Sequence, residues 1–152
     1  MSHHRSSPGL GEGQRSGGSD VRLTLPARPE NVAVVRHVLG AFAEALQLPD
    51  PVIEDMRLAV TEACTNVVRH AYSGADADDQ NALRVELRPQ PRGMLVVVED
   101  RGRGLAPSPD VGGPGLGLPL IAALTEDLEI SHGPDNRGSR VAMSFAPVIE
   151  AA

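Results

Sequence analysis

Three polar side chains at four-residue spacing, Glu62, Asn66 and His70, are the residues of this sequence best placed to do chemistry. The segment 57–72 predicts a helix, and residues four apart lie side by side on a helix surface. They follow the edge of a narrow apolar stripe, so each is expected to be half-buried. The stripe consists of Met56, Val60, Ala63 and Val67. A carboxylate one turn from a carboxamide can act as a general base beside a metal ion or a hydrogen-bonding ligand. The alternative is that the three are ordinary residues at the boundary of the core, with hydrogen bonds inside the protein. For His70 a structural hydrogen bond is preferred to a catalytic role.

A second candidate is an acidic residue at the end of a predicted strand, followed by two glycines at alternate positions. Asp100 ends the strand, and Gly102 and Gly104 follow it. Because glycine has no side chain, a flat ligand can lie close to this backbone beside an exposed carboxylate. A carboxylate only accepts hydrogen bonds, so it suits an exocyclic amino group such as that of adenine. A simple Asp-x-Gly turn without a ligand is the alternative.

A third candidate is a glycine-rich segment that opens onto a short predicted helix at 118–124. It contains Gly113, Gly115, Leu116 and Gly117. Backbone N–H groups at a helix N-terminus bind phosphate well. The segment is not a dinucleotide-binding fingerprint, which places its glycines on the first turn of a βαβ unit. The irregular stretch 100–117 is typical of a mobile lid, although flexible loops without a ligand also look like this. Together the three candidates supply the parts of one nucleotide site.

Composition excludes several other classes of protein. All 14 basic residues are arginine, against 20 acidic residues and a net charge of −6. P-loop nucleotidases and eukaryotic-type protein kinases need a lysine, so both are excluded. The acidic balance, with two Phe, one Tyr and no Trp, argues against a nucleic-acid partner. Cys64 is the single cysteine and is interpreted as a small buried residue. Without a membrane span or signal sequence, a cytoplasmic protein with no membrane contact is expected.

The order of predicted elements places these candidates in one folded domain at 20–147, between a disordered Gly/Ser-rich tail at 1–19 and a short tail at 148–152. The elements are a strand at 21–25, helices at 29–46 and 50–72, strands at 83–87 and 94–99, a helix at 118–124, and strands at 128–131 and 140–145. The first helix carries apolar residues at helical spacing, namely Val34, Val38, Ala41, Phe42 and Ala45. This order predicts an α+β fold, a two-layer sandwich with helices on one face of a mostly antiparallel, mixed sheet.

The motifs resemble those of the GHKL ATPases, which have the Bergerat fold. The segment 62–72, Glu-Ala-Cys-Thr-Asn-Val-Val-Arg-His-Ala-Tyr, resembles their N-box, and 100–104 and 113–117 resemble their two glycine boxes. Gly138–Ser139 resembles their closing Gly-Thr element, with Ser where Thr is usual. The resemblance covers about 21–145. The N-box form and short lid are similar to those of the anti-sigma-factor serine/threonine kinases of bacterial sporulation and stress-response switches.

The resemblance implies ATP and Mg²⁺ as ligands and a role for each motif. Asn66 would coordinate the Mg²⁺ that bridges the phosphates, and Glu62 would be the general base for a serine or threonine hydroxyl of a protein substrate. Asp100 would accept from the adenine amino group. The other nucleotide-binding residues would be Gly102 and Gly104 under the base, Gly113, Gly115, Leu116 and Gly117 around the phosphates, and Ser139 near the adenine.

The same resemblance implies the partners. The protein would phosphorylate a small anti-anti-sigma protein of the STAS type, bind a sigma factor in alternation, and form a homodimer. Two alternatives stay open. One is a regulatory module that sequesters a partner in response to ATP or ADP without catalysis. The other is a histidine-kinase catalytic domain, against which the missing phosphoacceptor-histidine helix pair counts.

Overall fold

The computed structural model describes residues 20–71, 81–102, 117–133 and 136–148, which form one sheet and three helices. The strands are β1 Val21–Pro26, β2 Ala82–Gln90, β3 Gly93–Asp100, β4 Asp127–His132 and β5 Ser139–Phe145. The helices are α1 Pro29–Ala45, α2 Asp50–Asn66 and α3 Gly117–Leu124. The predicted tail at 1–19, residues 72–80 of the predicted helix end and acidic loop, and the glycine-rich segment 103–116 lie outside the described residues, as do 134–135 and 149–152.

The five strands lie in the order β1-β2-β3-β5-β4, and each of the pairings described is antiparallel. On β2, buried Leu83, Val85 and Leu87 alternate with charged residues. The apolar residues of this face join the buried residues of all three helices in one core. The predicted two-layer α+β architecture, with helices on one face of the sheet, is therefore confirmed.

The opposite face of the sheet carries charged pairs instead of helices. Arg88 bonds Glu86 at 2.7 Å, and Arg140 bonds Glu99 on the neighbouring strand at 3.2 Å. The hydrogen bond from Arg88 is the main reason that the pKa of Glu86 lies below its ordinary value. Ion pairs at the surface of a sheet add little to stability. The alternation of apolar and charged residues therefore decides which face the helices cover.

The buried face of α1 differs from the apolar stripe that the sequence displays. Its buried residues are Val32, Val35, Leu39, Gly40 and Ala43. Of the stripe residues, Val34 is 41% exposed, Val38 and Phe42 are half-buried at the edge of the core, and the two alanines are exposed. Both sets recur at helical spacing because α1 is apolar around more than half of its circumference, so periodicity alone cannot choose between them.

The second helix follows its predicted stripe but ends differently. Met56, Val60, Ala63 and Val67 are all buried, as predicted. The α-helical part ends at Asn66, and Val67–Ala71 continues as a π-helical turn where a regular helix to residue 72 was expected. A π-helical turn holds more residues than an α-helical one. His70 lies on this turn, and its side chain forms no hydrogen bond with the described residues.

Candidate functional site

Glu62 and Asn66 lie one turn apart at the end of α2, and both are half-buried as predicted. Within the described ranges, no residue donates a hydrogen bond to either side chain or accepts one from it. The alternative, in which Glu62 and Asn66 form hydrogen bonds within the protein, therefore has no support among the described residues. A carboxylate beside a carboxamide, neither bonded to a described residue, is a pair that a ligand can use.

Asn66 also touches the start of α3. A Cβ atom placed on Gly117 would lie 2.9 Å from Asn66 Nδ2 and 3.3 Å from its Oδ1. Because α3 packs closely against α2, the last residue of the glycine-rich segment meets the amide of the predicted metal ligand. Residues 66 and 117 are 51 positions apart in the sequence, and the fold brings them into contact.

Asp100 and Ser139 form a buried pair across β3 and β5. They are register partners, 4% and 3% exposed, and the Ser139 hydroxyl donates to Asp100 Oδ2. The Gly102 N–H donates to Oδ1 at 2.9 Å. The prediction of an exposed Asp100 carboxylate was wrong. Ser139 at the start of β5 and Gly102 after the end of β3 both bond to the carboxylate. A carboxylate has about four lone-pair positions, so these two bonds leave acceptor capacity for a ligand.

The direct bond between Ser139 and Asp100 was not found from the sequence. The prediction placed the Ser139 hydroxyl near the adenine but gave it no partner in the protein. Pairing of the two strand ends brings it onto the carboxylate 39 positions away. On the same face, Val98 lies opposite Val141, and both are buried. They belong to the hydrophobic core that the sheet shares with the helices.

Gly138 holds the two strand ends together. Its φ of 75° lies in the left-handed region, and its N–H donates to the Gly102 carbonyl at 2.9 Å. A Cβ atom at this position would collide with the Asp100 carbonyl oxygen. Glycine is therefore required here for both conformation and space.

Replacing Gly138 with alanine is expected to lower the free energy of unfolding by at least about 2 kcal/mol, from left-handed strain and backbone overlap. Urea denaturation measures this change. Gly40→Ala is the matched control, because the three atoms nearest to a Cβ there all belong to the guanidinium end of Arg57, which can shift more easily than backbone. That control is expected to stay within about 1 kcal/mol of the parent protein. Equal stability of the Gly138 and Gly40 variants would contradict the structural role of Gly138.

The donor set fits a magnesium ion that is carried mainly by phosphates. Among the described residues, no group of three or more His, Cys, Asp or Glu side chains could hold a metal ion. Mg²⁺ prefers oxygen ligands, keeps several waters and commonly takes only one or two protein ligands beside substrate phosphates. The carboxamide of Asn66, which bonds to no described residue, can supply one such oxygen. Cys64 takes no part, because burial raises the pKa of its thiol to about 12; its predicted role as a buried residue is confirmed.

Comparison with known proteins agrees with this arrangement. Residues 25–145 match the histidine kinase-like ATPase domain. The chain belongs to this ATPase family. The resemblance to GHKL ATPases is therefore confirmed. In the described part of this histidine kinase-like domain, α2 packs on β3 and β5, which carry Asp100 and Ser139. Four predicted nucleotide-binding residues lie outside the described residues, namely Gly104, Gly113, Gly115 and Leu116.

Relatives of this histidine kinase-like domain are named serine-protein kinase RsbW. The protein from Bacillus pumilus strain SAFR-032 is 32% identical over 139 residues, which cover 82% of this chain and 83% of the relative. The protein from Bacillus thuringiensis strain Al Hakam is 30% identical over 128 residues, covering 74% and 77%. Each match extends over most of both proteins.

A solved structure shows the same fold. It is the crystal structure of the RsbU and RsbW domains of a Mycobacterium tuberculosis protein, with a TM-score of 0.63 and 21% identity. The similarity covers 86% of this chain and 34% of that one, so the present chain spans about a third of its length. No helix in the described segments is both long and apolar enough to cross a membrane.

Proposed function

We propose that this protein is an ATP-dependent serine/threonine-protein kinase that also acts as an anti-sigma factor. The observation that carries the proposal is the pair Glu62 and Asn66, one turn apart on α2 with neither side chain bonded within the described residues. A non-catalytic nucleotide sensor has no need for a free carboxylate beside the amide. The relatives named serine-protein kinase RsbW support the same conclusion.

In this proposal, each end of the nucleotide has its own partner in the chain. Asp100 accepts from the adenine amino group while Ser139 and Gly102 hold the carboxylate in place. Val98 and Val141 lie next to this pair on the same face of the sheet, in the hydrophobic core. The phosphates lie toward Asn66 and the start of α3, where the Gly117 N–H is a backbone donor. The Asn66 oxygen would hold a bound Mg²⁺, which would neutralise phosphate charge.

Glu62 performs the proton transfer. The attacking serine or threonine oxygen forms a bond to the γ-phosphorus while the bond between that phosphorus and the β,γ-bridging oxygen breaks, so ADP leaves and the hydroxyl proton passes to Glu62. Phosphoryl transfer of this kind depends mainly on positioning and electrostatics. The side chain is half-buried and has no competing partner among the described residues, so it is available for the proton.

The proposed substrate is a STAS-type anti-anti-sigma protein, and the proposed second partner is a sigma factor bound by a homodimer. The support is the similarity of the N-box and glycine boxes to those of the anti-sigma kinases, together with the names of the relatives. The acidic charge of −6 agrees with action on a protein regulator and not on DNA. Cytoplasmic location follows from such partners as part of the proposal.

A phosphotransfer assay tests the function. The protein is incubated with γ-labelled ATP and Mg²⁺ together with candidate STAS-domain proteins from the same organism, and EDTA replaces Mg²⁺ in the control. We expect acid-stable phosphoserine or phosphothreonine on one candidate. If a candidate bound the protein only in the presence of nucleotide and was not phosphorylated, the protein would be a sequestering module and not a kinase. Acid-labile phosphate on histidine would instead indicate histidine-kinase chemistry.

A further inference from the structure

We propose that Gly117 is a positioning residue for Asn66: the missing side chain at the start of α3 leaves the space in which the Asn66 carboxamide adopts its metal-binding orientation. This inference rests on the proposed function, because it concerns how the Mg²⁺ ligand is held. It assigns Gly117 a role through its neighbour, in addition to the backbone donor that the glycine-rich motif implies.

The requirement for glycine at position 117 comes from space and not from backbone conformation. Gly117 is the first residue of α3 and does not have a left-handed φ, in contrast to Gly138. Alanine is a better helix former than glycine, so the backbone alone would favour alanine. The obstacle is the Asn66 side chain, since a Cβ would lie 2.9, 3.3 and 3.5 Å from its Nδ2, Oδ1 and Cγ atoms. A carbon 2.9 Å from Nδ2 is too close for van der Waals contact, so one of the two groups must move.

The Asn66 side chain is the part that must move. On α2, Asn66 lies between Ala63 and Val67, which are both 3% exposed and packed in the core. On α3, Ile121 is fully buried and fixes the helix against the same core. Tightly packed cores resist displacement of backbone. A methyl group at position 117 would therefore rotate the Asn66 carboxamide and move the oxygen that is proposed to bind Mg²⁺.

The orientation of a metal ligand commonly depends on the groups packed around it. Loss of such a supporting group typically weakens metal affinity by about 10- to 100-fold. The N–H of residue 117 is present in both glycine and alanine, so a role limited to backbone donation predicts little change on substitution. The two roles of Gly117 are therefore separable by the variant Gly117→Ala.

The experiment measures the affinity for ATP by calorimetry, once with Mg²⁺ and once with EDTA, for the parent protein and Gly117→Ala. We expect the gain in affinity from Mg²⁺ to fall by roughly 10- to 100-fold in the variant, while the affinity in EDTA stays within about threefold. Gly40→Ala adds the same methyl group to α1, against the end of the Arg57 side chain and away from Asn66, and is expected to keep the full gain. An unchanged gain in Gly117→Ala, or equal losses with and without Mg²⁺, would overturn the inference.

A second pair of variants tests the contact itself. Asn66→Ala removes the amide and leaves room for a methyl group at position 117, so adding Gly117→Ala to it should change ATP affinity little and should not lower the melting temperature. Residues in contact show such non-additivity, whereas independent residues have additive effects. Additive losses in the double variant would refute the contact as the cause. If the parent protein bound no ATP, the proposed function would fail; a normal parent with an unaffected Gly117→Ala would refute this inference alone.

Discussion

Phosphotransfer by Glu62→Gln is expected to fall by about 10²- to 10⁴-fold, while ATP affinity stays within roughly threefold of the parent value. Glutamine has nearly the same size and shape as glutamate, but its amide cannot take a proton from the attacking hydroxyl. The parent carboxylate bonds to no described residue, so its replacement leaves no described donor unsatisfied. Removal of a base used only in the transition state lowers the rate and not the binding.

Single-turnover transfer to the STAS-domain substrate measures the rate, and calorimetry with ATP and Mg²⁺ measures the affinity. Glu54→Gln is the matched control, because it removes the same charge from the same helix two turns earlier. Glu54 lies on the exposed surface, where it pairs with Arg57 at 3.2 Å. We expect that control to keep the parent rate. A Glu62→Gln variant with the full rate would show that another group takes the proton.

The order and type of the elements could be predicted from the sequence because apolar periodicity is strong in each segment. On β2 and on α2 the apolar residues lie mainly on a single face, so only one face can be buried. On α2 these residues are Met56, Val60, Ala63 and Val67. On α1 the apolar residues surround too much of the helix for a unique choice, and packing against β1 and α2 selects Val35 and Leu39 over Val34. Tertiary contacts decide such cases, and a single sequence does not contain them.

The parts of the candidate site that depend on contacts between distant residues could not be predicted. The sequence displays glycines at 117 and 138, but their reasons differ: Gly117 gives space to Asn66, and Gly138 has a left-handed backbone beside Asp100. The burial of Asp100 likewise depends on Ser139, which arrives only when β5 pairs with β3. Motif spacing therefore indicates which residues share a site, and the fold determines what each of them contacts.

The absence of lysine limits how the phosphate charge can be balanced. Arg22, Arg88 and Arg140 are engaged with Glu86 and Glu99 on the face of the sheet that has no helices. A further arginine, Arg57, bonds the acidic side chains of α1 and α2. In the described part of the chain, these four cations are therefore committed to structural ion pairs. In the proposed site, Mg²⁺ and backbone N–H groups would balance the phosphate charge, so ATP affinity is expected to fall when the metal is removed.

The Asp100→Asn variant is expected to lose its preference for ATP over inosine triphosphate. The two nucleotides differ at the base, where adenine carries a donor amino group and hypoxanthine an acceptor carbonyl. The Asp100 carboxylate can only accept, so it favours the amino group. A hydrogen bond to a charged group contributes about 1.5–3 kcal/mol, so ATP affinity should fall by roughly 10- to 100-fold. Inosine triphosphate should bind as well as before or better.

The fold should tolerate this change, which makes the comparison informative. An asparagine at position 100 can still accept from the Gly102 N–H through its oxygen, and the Ser139 hydroxyl can turn to accept from its amide nitrogen. Both described partners of the carboxylate then keep a bond, so the melting temperature should change little. Asp127→Asn makes the same substitution at an exposed position on β4 and should leave the preference unchanged. A stable Asp100→Asn protein that still selects ATP over inosine triphosphate would show that recognition of the base does not depend on the Asp100 carboxylate.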